Sequence, residues 1–261
     1  VRVWSGEFVR SFQTDDYEIG AFFALVAIFE VCERAWPGRQ VDKVRDLKLD
    51  ILSFAFALTV NRVCTHLMRA TFGDYHPLFW NPALLYIQHW PAGVKILAAL
   101  FMVDFMIYWI HRAQHTHDTL WRTHAWHHSI EQMYWFAGFR TSFLHSLIYN
   151  IPQVVIPVTL FRLSPAEAGI GYSIGLLIQF WEHTNLKVRI GPLKYLIITP
   201  EYHRIHHSAT IHRGQNLGTT FSLWDRMFGT FVDPDKIHEE YPLGLGERIE
   251  PKKLPRMFLG V

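Results

Sequence analysis

The sequence predicts an all-α integral membrane protein. About four transmembrane helices, some of them only partly inserted, should carry a histidine-rich helical cap on the cytoplasmic side. Three observations lead there. Half of the 261 residues are hydrophobic and 18% are charged, below the roughly 25% charged residues of soluble domains; a mean hydropathy of +0.07 with 20 Phe, 10 Trp and 10 Tyr points toward lipid. The apolar residues fall into runs separated by turn signals. The histidines, 16 in all, gather in two polar stretches just outside those runs.

The length suits one membrane domain over residues 1–261. Within it we expect membrane helices and an interfacial segment at 19–110, a first histidine region at 111–142, a membrane hairpin at 143–183 and a cap at 184–261. A net charge of only +2 excludes the broad basic face of a nucleic-acid binder. Cys32 and Cys64 sit apart inside apolar runs and read as small buried hydrophobes.

Taken in order, residues 1–18 are a mixed flank at the membrane surface. The run at 19–36 meets its first charge at Glu30 and stops at Pro37-Gly38, a short candidate span. A basic loop follows, with Arg39, Lys43, Arg45 and Lys48 against Asp42 and Asp46. The second run, 51–68, carries Asn61, Arg62 and His66 in its later half, where an arginine at the bilayer centre costs about 2.5 to 3.5 kcal/mol unless it snorkels or pairs. No Lys or Arg lies between Arg69 and Lys95, and this aromatic, proline-bearing stretch suits the interface opposite the basic loop.

A third run, 96–110, leads straight into His111. The next apolar stretch, 143–163, is broken by Pro152 and Pro157. Ser164-Pro165-Ala166-Glu167 then reads as an N-cap, a proline at N1 and an acid in the first turn, so a helix should run from Pro165 to about His183. With the basic loop in the cytoplasm, three crossings and a hairpin bring both histidine stretches to that side. Several runs fall short of the ~20 apolar residues of a simple crossing, so tilt or partial insertion is expected.

The first histidine stretch, HRAQHTHDTLWRTHAWHHS at 111–129, holds six histidines, and EYHRIHHS at 201–208 answers it. If these stretches are helical, His111 and His115 share one face, His124, His127 and His128 another, and His203, His206 and His207 repeat the second spacing. At this histidine content an H-x-x-H-H triplet should arise roughly 0.06 times by chance; it occurs twice. Eight clustered imidazoles exceed the four ligands of a tetrahedral zinc and suit two adjacent metal ions, although imidazole alone does not choose among iron, copper, nickel and zinc. Asp104 lies on the face of Tyr108, His111 and His115, placed either to accept the second N–H of a bound imidazole or to make a helix–helix hydrogen bond. The aromatic rings of Trp109, Trp126 and Trp135 suit the membrane interface or, as the lesser alternative, a lipid channel. Lone histidines at 66, 76, 89 and 238 have no role assigned.

The ordered pattern D104-F-M-I-Y-W-I-H-R-A-Q-H115, L120-W-R-T-H-A-W-H-H-S129, E201-Y-H-R-I-H-H-S208 and W224-D-R-M-F-G-T230 resembles the fatty acid hydroxylase and sterol desaturase superfamily of membrane-bound di-iron oxygenases. The stretch Q179-F-W-E-H-T184, with G191-P-L and T199-P, is similar to the alkylglycerol monooxygenase branch and its bacterial relatives. This resemblance covers roughly residues 95–235. It implies two iron ions, exchangeable for zinc in purified protein, and O2-dependent hydroxylation or desaturation of an unactivated C–H bond of a lipid. It also implies the ligands His111, His115, His124, His127, His128, His183, His203, His206 and His207. Beside them stand Asn216, which should orient a ligand, His145, kept out of the ligand set, and His117 and His212 at the margin. Where some relatives have a further histidine after the position of His183, this chain has Lys187.

Electrons must come from outside, from a b5-type, ferredoxin-type or reduced-pterin donor, because the chain carries no cytochrome, flavin or nicotinamide fingerprint. The expected setting is the bacterial inner membrane or the endoplasmic reticulum. Two other readings stay open: a catalytically silent relative holding zinc, and a metal-handling membrane protein. The second would want polar residues inside several spans, whereas these clusters lie outside them.

Overall fold

The computed structural model describes residues 16–72, 86–87, 89–210, 214–247 and 249–261; for 16–22, 64–72 and 165 only the backbone is described. The expectations for the flank at 1–15, most of the interfacial segment, the side chains of Cys64 and His66, and His76 and His212 lie outside these residues. Among those described, the only β-contacts are two isolated bridges, Pro37 to Leu186 and Ser208 to Leu243. The regular structure is otherwise helical.

Helices α1 (Asp16–Ala35) and α2 (Leu47–Phe72) flank the basic loop. Helix α3 (Ala92–Thr116) runs without a break from the third apolar run through His111 and His115. A single extended residue, His117, separates it from α4 (Asp118–Ala125). The first H-x-x-H-H is therefore not one helix: α4 ends at Ala125, and His127 and His128 continue in a 3-10 turn. Helix α5 (Phe143–Val155) carries Pro152 within it and gives way to a π-helical turn at Ile156–Leu160, which contains Pro157. The expected break thus appears as one widened turn, an arrangement that absorbs the missing proline N–H without ending the helix. Helix α6 (Pro165–His183) starts at the predicted residue: Ser164 and Glu167 form a reciprocal capping box, Ser164 N donating to Glu167 Oε2 at 2.7 Å and Glu167 N to Ser164 Oγ at 3.3 Å. Three short helices complete the chain, α7 (Pro200–His206), α8 (Leu223–Phe228) and α9 (Leu254–Leu259).

Two helical stretches, Ala92–Thr116 and Phe143–Leu160, are long and apolar enough to cross a bilayer. Large apolar side chains face outward along the long helices, among them Phe23 and Val31 on α1, Ile51 and Leu52 on α2, and Leu97 and Phe101 on α3. Burial runs the other way for polar groups. Glu33, Asp50, Asp104 and Glu182 are buried, each with polar partners or histidines beside it.

The segment at 129–141, the end of the expected first histidine region, is a hub. Ile130, Met133, Tyr134, Trp135, Ala137 and Phe139 form a core with Phe180, and Phe29 of α1, Phe54 of α2 and Leu176 of α6 pack on it. Arg140 fastens this hub to α2, its Nε donating to Asp50 Oδ1 at 2.8 Å while Tyr134 OH donates to Asp50 Oδ2 at 2.8 Å. Glu33 fastens it to α1, accepting from Trp135 N at 2.8 Å and Asn185 N at 2.7 Å. Trp126 and Trp135 consequently lie in the interior rather than at an interface; Trp126 Nε1 donates to Ser53 Oγ at 3.2 Å. Trp109 alone of the three is exposed, against Phe228. Cys32 is a half-buried free thiol.

Candidate metal centre

Nine buried or half-buried histidines converge where α3, α4, α6 and α7 meet. They form two groups, His111, His115, His124, His128 and His206 in one and His127, His183, His203 and His207 in the other, with one ring nitrogen of each within 4.8 Å of those of its fellows. The groups abut: the rings of His128 and His207 stack at 4.4 Å across the boundary. All nine are the histidines singled out from the sequence. Among the others, His117 and His238 are exposed, as is His89.

The backbone decides which nitrogen of several rings faces inward. His111 Nδ1 lies 2.7 Å from Leu217 O, His206 Nδ1 2.9 Å from Gln215 O, His127 Nδ1 3.2 Å from Arg140 O and His183 Nδ1 2.8 Å from Gln179 O. A carbonyl can only accept, so in each case Nδ1 carries the proton and Nε2 is a bare lone pair. The lone pairs of His127 and His183 then face one another, and that of His206 is turned into the five-histidine group. His183 Nε2 is 3.3 Å from His127 Nε2, and His111 and His206 stand with ring centroids 4.5 Å apart, His206 Nε2 being buried without a hydrogen-bond partner. Two opposed lone pairs repel, and a buried acceptor without a donor costs about 1–3 kcal/mol. A cation between them removes both penalties, so the donor set fits a metal in each group.

Protonation is disfavoured as well. Burial first, then the neighbouring imidazoles, hold His124, His127, His128, His203, His206 and His207 well below the usual 6.5. Neutral imidazole is the form that binds metal.

The supporting residues divide differently from expectation. Asp104 takes its hydrogen bonds from Thr219 Oγ1 at 2.7 Å, Trp224 Nε1 at 2.8 Å and Phe221 N at 3.1 Å. Of the two readings of this carboxylate, the structure shows the helix–helix hydrogen bond, from Trp224 of α8, and not acceptance from an imidazole, so that Asp104 anchors the 219–224 segment to α3. Leu217, just before that segment, supplies its carbonyl to His111. Asn216 is buried in a left-handed conformation at φ 55°, its Nδ2 donating to Tyr202 O and Val232 O, both at 3.1 Å. It stands between Gln215 and Leu217, so it orients two ligand-facing carbonyls rather than an imidazole directly. Asp225 secures the neighbouring backbone, accepting from Leu217 N at 2.7 Å, Gly218 N at 2.8 Å and the Tyr202 hydroxyl. His145 lies behind the five-histidine group, its Nδ1 3.0 Å from His124 Nδ1 and 3.4 Å from Gln114 Nε2.

Sequence reasoning passed over Gln114, Arg140, Asp225 and Glu182. All but Arg140 stand inside the motif stretches, Gln114 before His115, Glu182 before His183 and Asp225 after Trp224.

The architecture defines a helical protein with a buried double histidine centre. Residues 96–230 match the family described as fatty acid hydroxylase, and the chain belongs to that family. The expected resemblance is thereby borne out. Among its relatives, the ornithine lipid hydroxylase OlsE of Rhizobium tropici is 29% identical, over 82% of this chain and 65% of its own length. Human alkylglycerol monooxygenase is 30% identical over 75% of this chain and 42% of its own. Human lathosterol oxidase is 27% identical over 58% and 49%. The chain thus spans about half the length of these relatives. No solved structure matches it.

Proposed function

We propose that this chain is a membrane-bound oxygenase that hydroxylates, or in a variant outcome desaturates, an unactivated C–H bond of a lipid. It would hold two iron ions, one with His111, His115, His124, His128 and His206, the other with His127, His183, His203 and His207. Bound iron would supply the redox chemistry in which a C–H bond, O2, two electrons and two protons become a C–OH bond and water. The electrons come from an external b5-type, ferredoxin-type or reduced-pterin donor.

The chain's own residues do the rest. Neutral imidazoles, fixed by the carbonyls of Leu217, Gln215, Arg140 and Gln179, keep their lone pairs on the metals. The apolar helices hold the lipid tail and keep bulk water from the reacting carbon. One observation carries this reading: carbonyl-fixed imidazoles turn bare Nε2 atoms into each group, His127 and His183 facing each other at 3.3 Å in one, and in the other His111 Nε2 lying 2.9 Å from His124 Nε2 with His206 Nε2 left without a partner. The lipid substrates in the names of the three relatives support it.

In this reading α1, α2, α3 and the α5–α6 pair lie in the bilayer with the histidine centre at its cytoplasmic face. The outward apolar side chains of the long helices support that placement. So do the contacts of the basic loop, where Arg45 pairs with Glu131 and Arg39 Nη1 donates to Tyr241 O at 2.8 Å, tying the loop to the histidine side. Lipid profiling of cells with and without the gene tests the function. The expected result is a lipid class gaining one oxygen mass, lost again in His206→Ala; identical lipidomes in the two strains would contradict it.

A further inference from the structure

Glu182, on α6 immediately before His183, is a buried carboxylate that no step above uses. Its Oε1 lies 3.6 Å from His183 Nδ1 and its Oε2 3.7 Å from His203 Nδ1. These two neighbours differ. His183 Nδ1 is already committed to Gln179 O at 2.8 Å, whereas His203 Nδ1 has no hydrogen-bond partner, and neither has Glu182 Oε2. Two buried orphans thus face each other across a gap about 0.9 Å longer than a charge-assisted hydrogen bond.

The other side of the His203 ring decides what the pair is for. His203 Nε2 stands 3.1 Å from Nε2 of both His183 and His207. A metal among these atoms takes the Nε2 lone pair, which puts the His203 proton on Nδ1, the nitrogen that faces Glu182. We propose that Glu182 is the positioning carboxylate of His203: it accepts that proton's hydrogen bond, fixes the ring and raises its basicity toward the metal of the four-histidine group. The inference rests on the two-metal reading and sharpens it, because it makes the two sites unequal. His111, His206, His127 and His183 lean on neutral backbone carbonyls. Among the described residues, only Glu182 brings a carboxylate within 4 Å of a ligand imidazole. An otherwise unpaired buried carboxylate is strongly disfavoured, and a dication one ring away offsets that cost.

The test is a metal titration of the purified full chain with Zn2+ and, for its visible spectrum, Co2+, comparing wild type with Glu182→Gln and Glu182→Asp. Partners of this kind are worth about 10–100-fold in metal affinity. Wild type should bind two ions per chain. E182Q, which keeps the size and loses the charge, should keep one at wild-type affinity, weaken the other about 10–100-fold and change the cobalt spectrum of that site alone. E182D should regain part of the affinity, and it carries the comparison if E182Q proves too unstable to titrate. Two ions held by E182Q within threefold of wild type, with an unchanged cobalt spectrum, would overturn the role of Glu182. A wild type that binds no pair of ions would instead overturn the two-metal reading.

Discussion

Backbone carbonyls, more than side chains, decide what the histidines can do. The rings of His111, His127, His183 and His206 are each turned by a main-chain acceptor. The space around them is correspondingly tight. A Cβ added at Gly138 would lie 2.8 Å from the His183 ring, closer than side chains tolerate, so Gly138→Ala should displace that imidazole. Metal content should then fall from two ions toward one per chain, and two retained ions would show that the four-histidine group does not need this ring in place. The same crowding sets a pH dependence. Histidines at 124, 127, 128, 203, 206 and 207 have folded-state values well below 6.5 because they are buried. Below about 6.5 the unfolded chain therefore takes up protons that the folded chain refuses, and stability is lost as pH falls, by at most about 1.4 kcal/mol per pH unit for each such histidine. Thermal unfolding of the metal-stripped protein should be level above pH 7 and drop between pH 6.5 and 5.5; a flat profile would mean these rings are solvated. At this scale eight of the nine histidines were legible because their spacing is far from chance, and His183 through the family resemblance. Their acceptors were not, since every residue type carries a carbonyl; Asn216, between Gln215 and Leu217, was readable as a supporting residue, but its partners Tyr202 and Val232 were not. Asp104 shows the same limit: its place on the helix face was readable, its partners at 219–224 were not.

Helix boundaries depend on local signals, and these mostly held. Ser164, Pro165 and Glu167 placed the start of α6 to the residue, because a capping box is satisfied within four residues. The prolines of α5 were harder to read, since neighbouring helices decide whether a lost N–H ends a helix or widens a turn. The largest surprise is the hub at 129–141, whose importance comes from contacts with α1, α2 and α6. Its fastening is a buried ion pair, Arg140 with Asp50, in which both side chains are almost wholly enclosed. Removing one partner of such a pair leaves a buried charge and costs about 3–5 kcal/mol. Asp50→Ala should lower the thermal midpoint in detergent by many degrees and weaken metal retention with it, because the Arg140 carbonyl holds His127. An unchanged midpoint would mean that the apolar contacts of the hub suffice without the pair.

For the whole molecule, the sequence carried the helical class and the family. The helices Ala92–Thr116 and Phe143–Leu160 have the length and composition of spans; the remaining spans are part of the proposal, because α2 interrupts its apolar run with Asn61 and Arg62. The polar C-terminal third was legible only as a cap. It supplies three of the histidines from 203–207 and the carbonyls of Gln215 and Leu217, and it is tied together locally: α8 ends in Gly229, left-handed at φ 76°, and the turn returns Thr230 to Asp225 at 2.6 Å. Lipid identity depends on a cavity shaped by many helices together, and no single stretch encodes it.

In the proposed function two irons sit one in each histidine group. Iron analysis with Mössbauer spectroscopy on protein purified without oxygen tests it directly. The account predicts two irons per chain, both in nitrogen-rich environments, in preparations that turn over lipid. Active preparations that contain zinc alone, or a single iron, would contradict it.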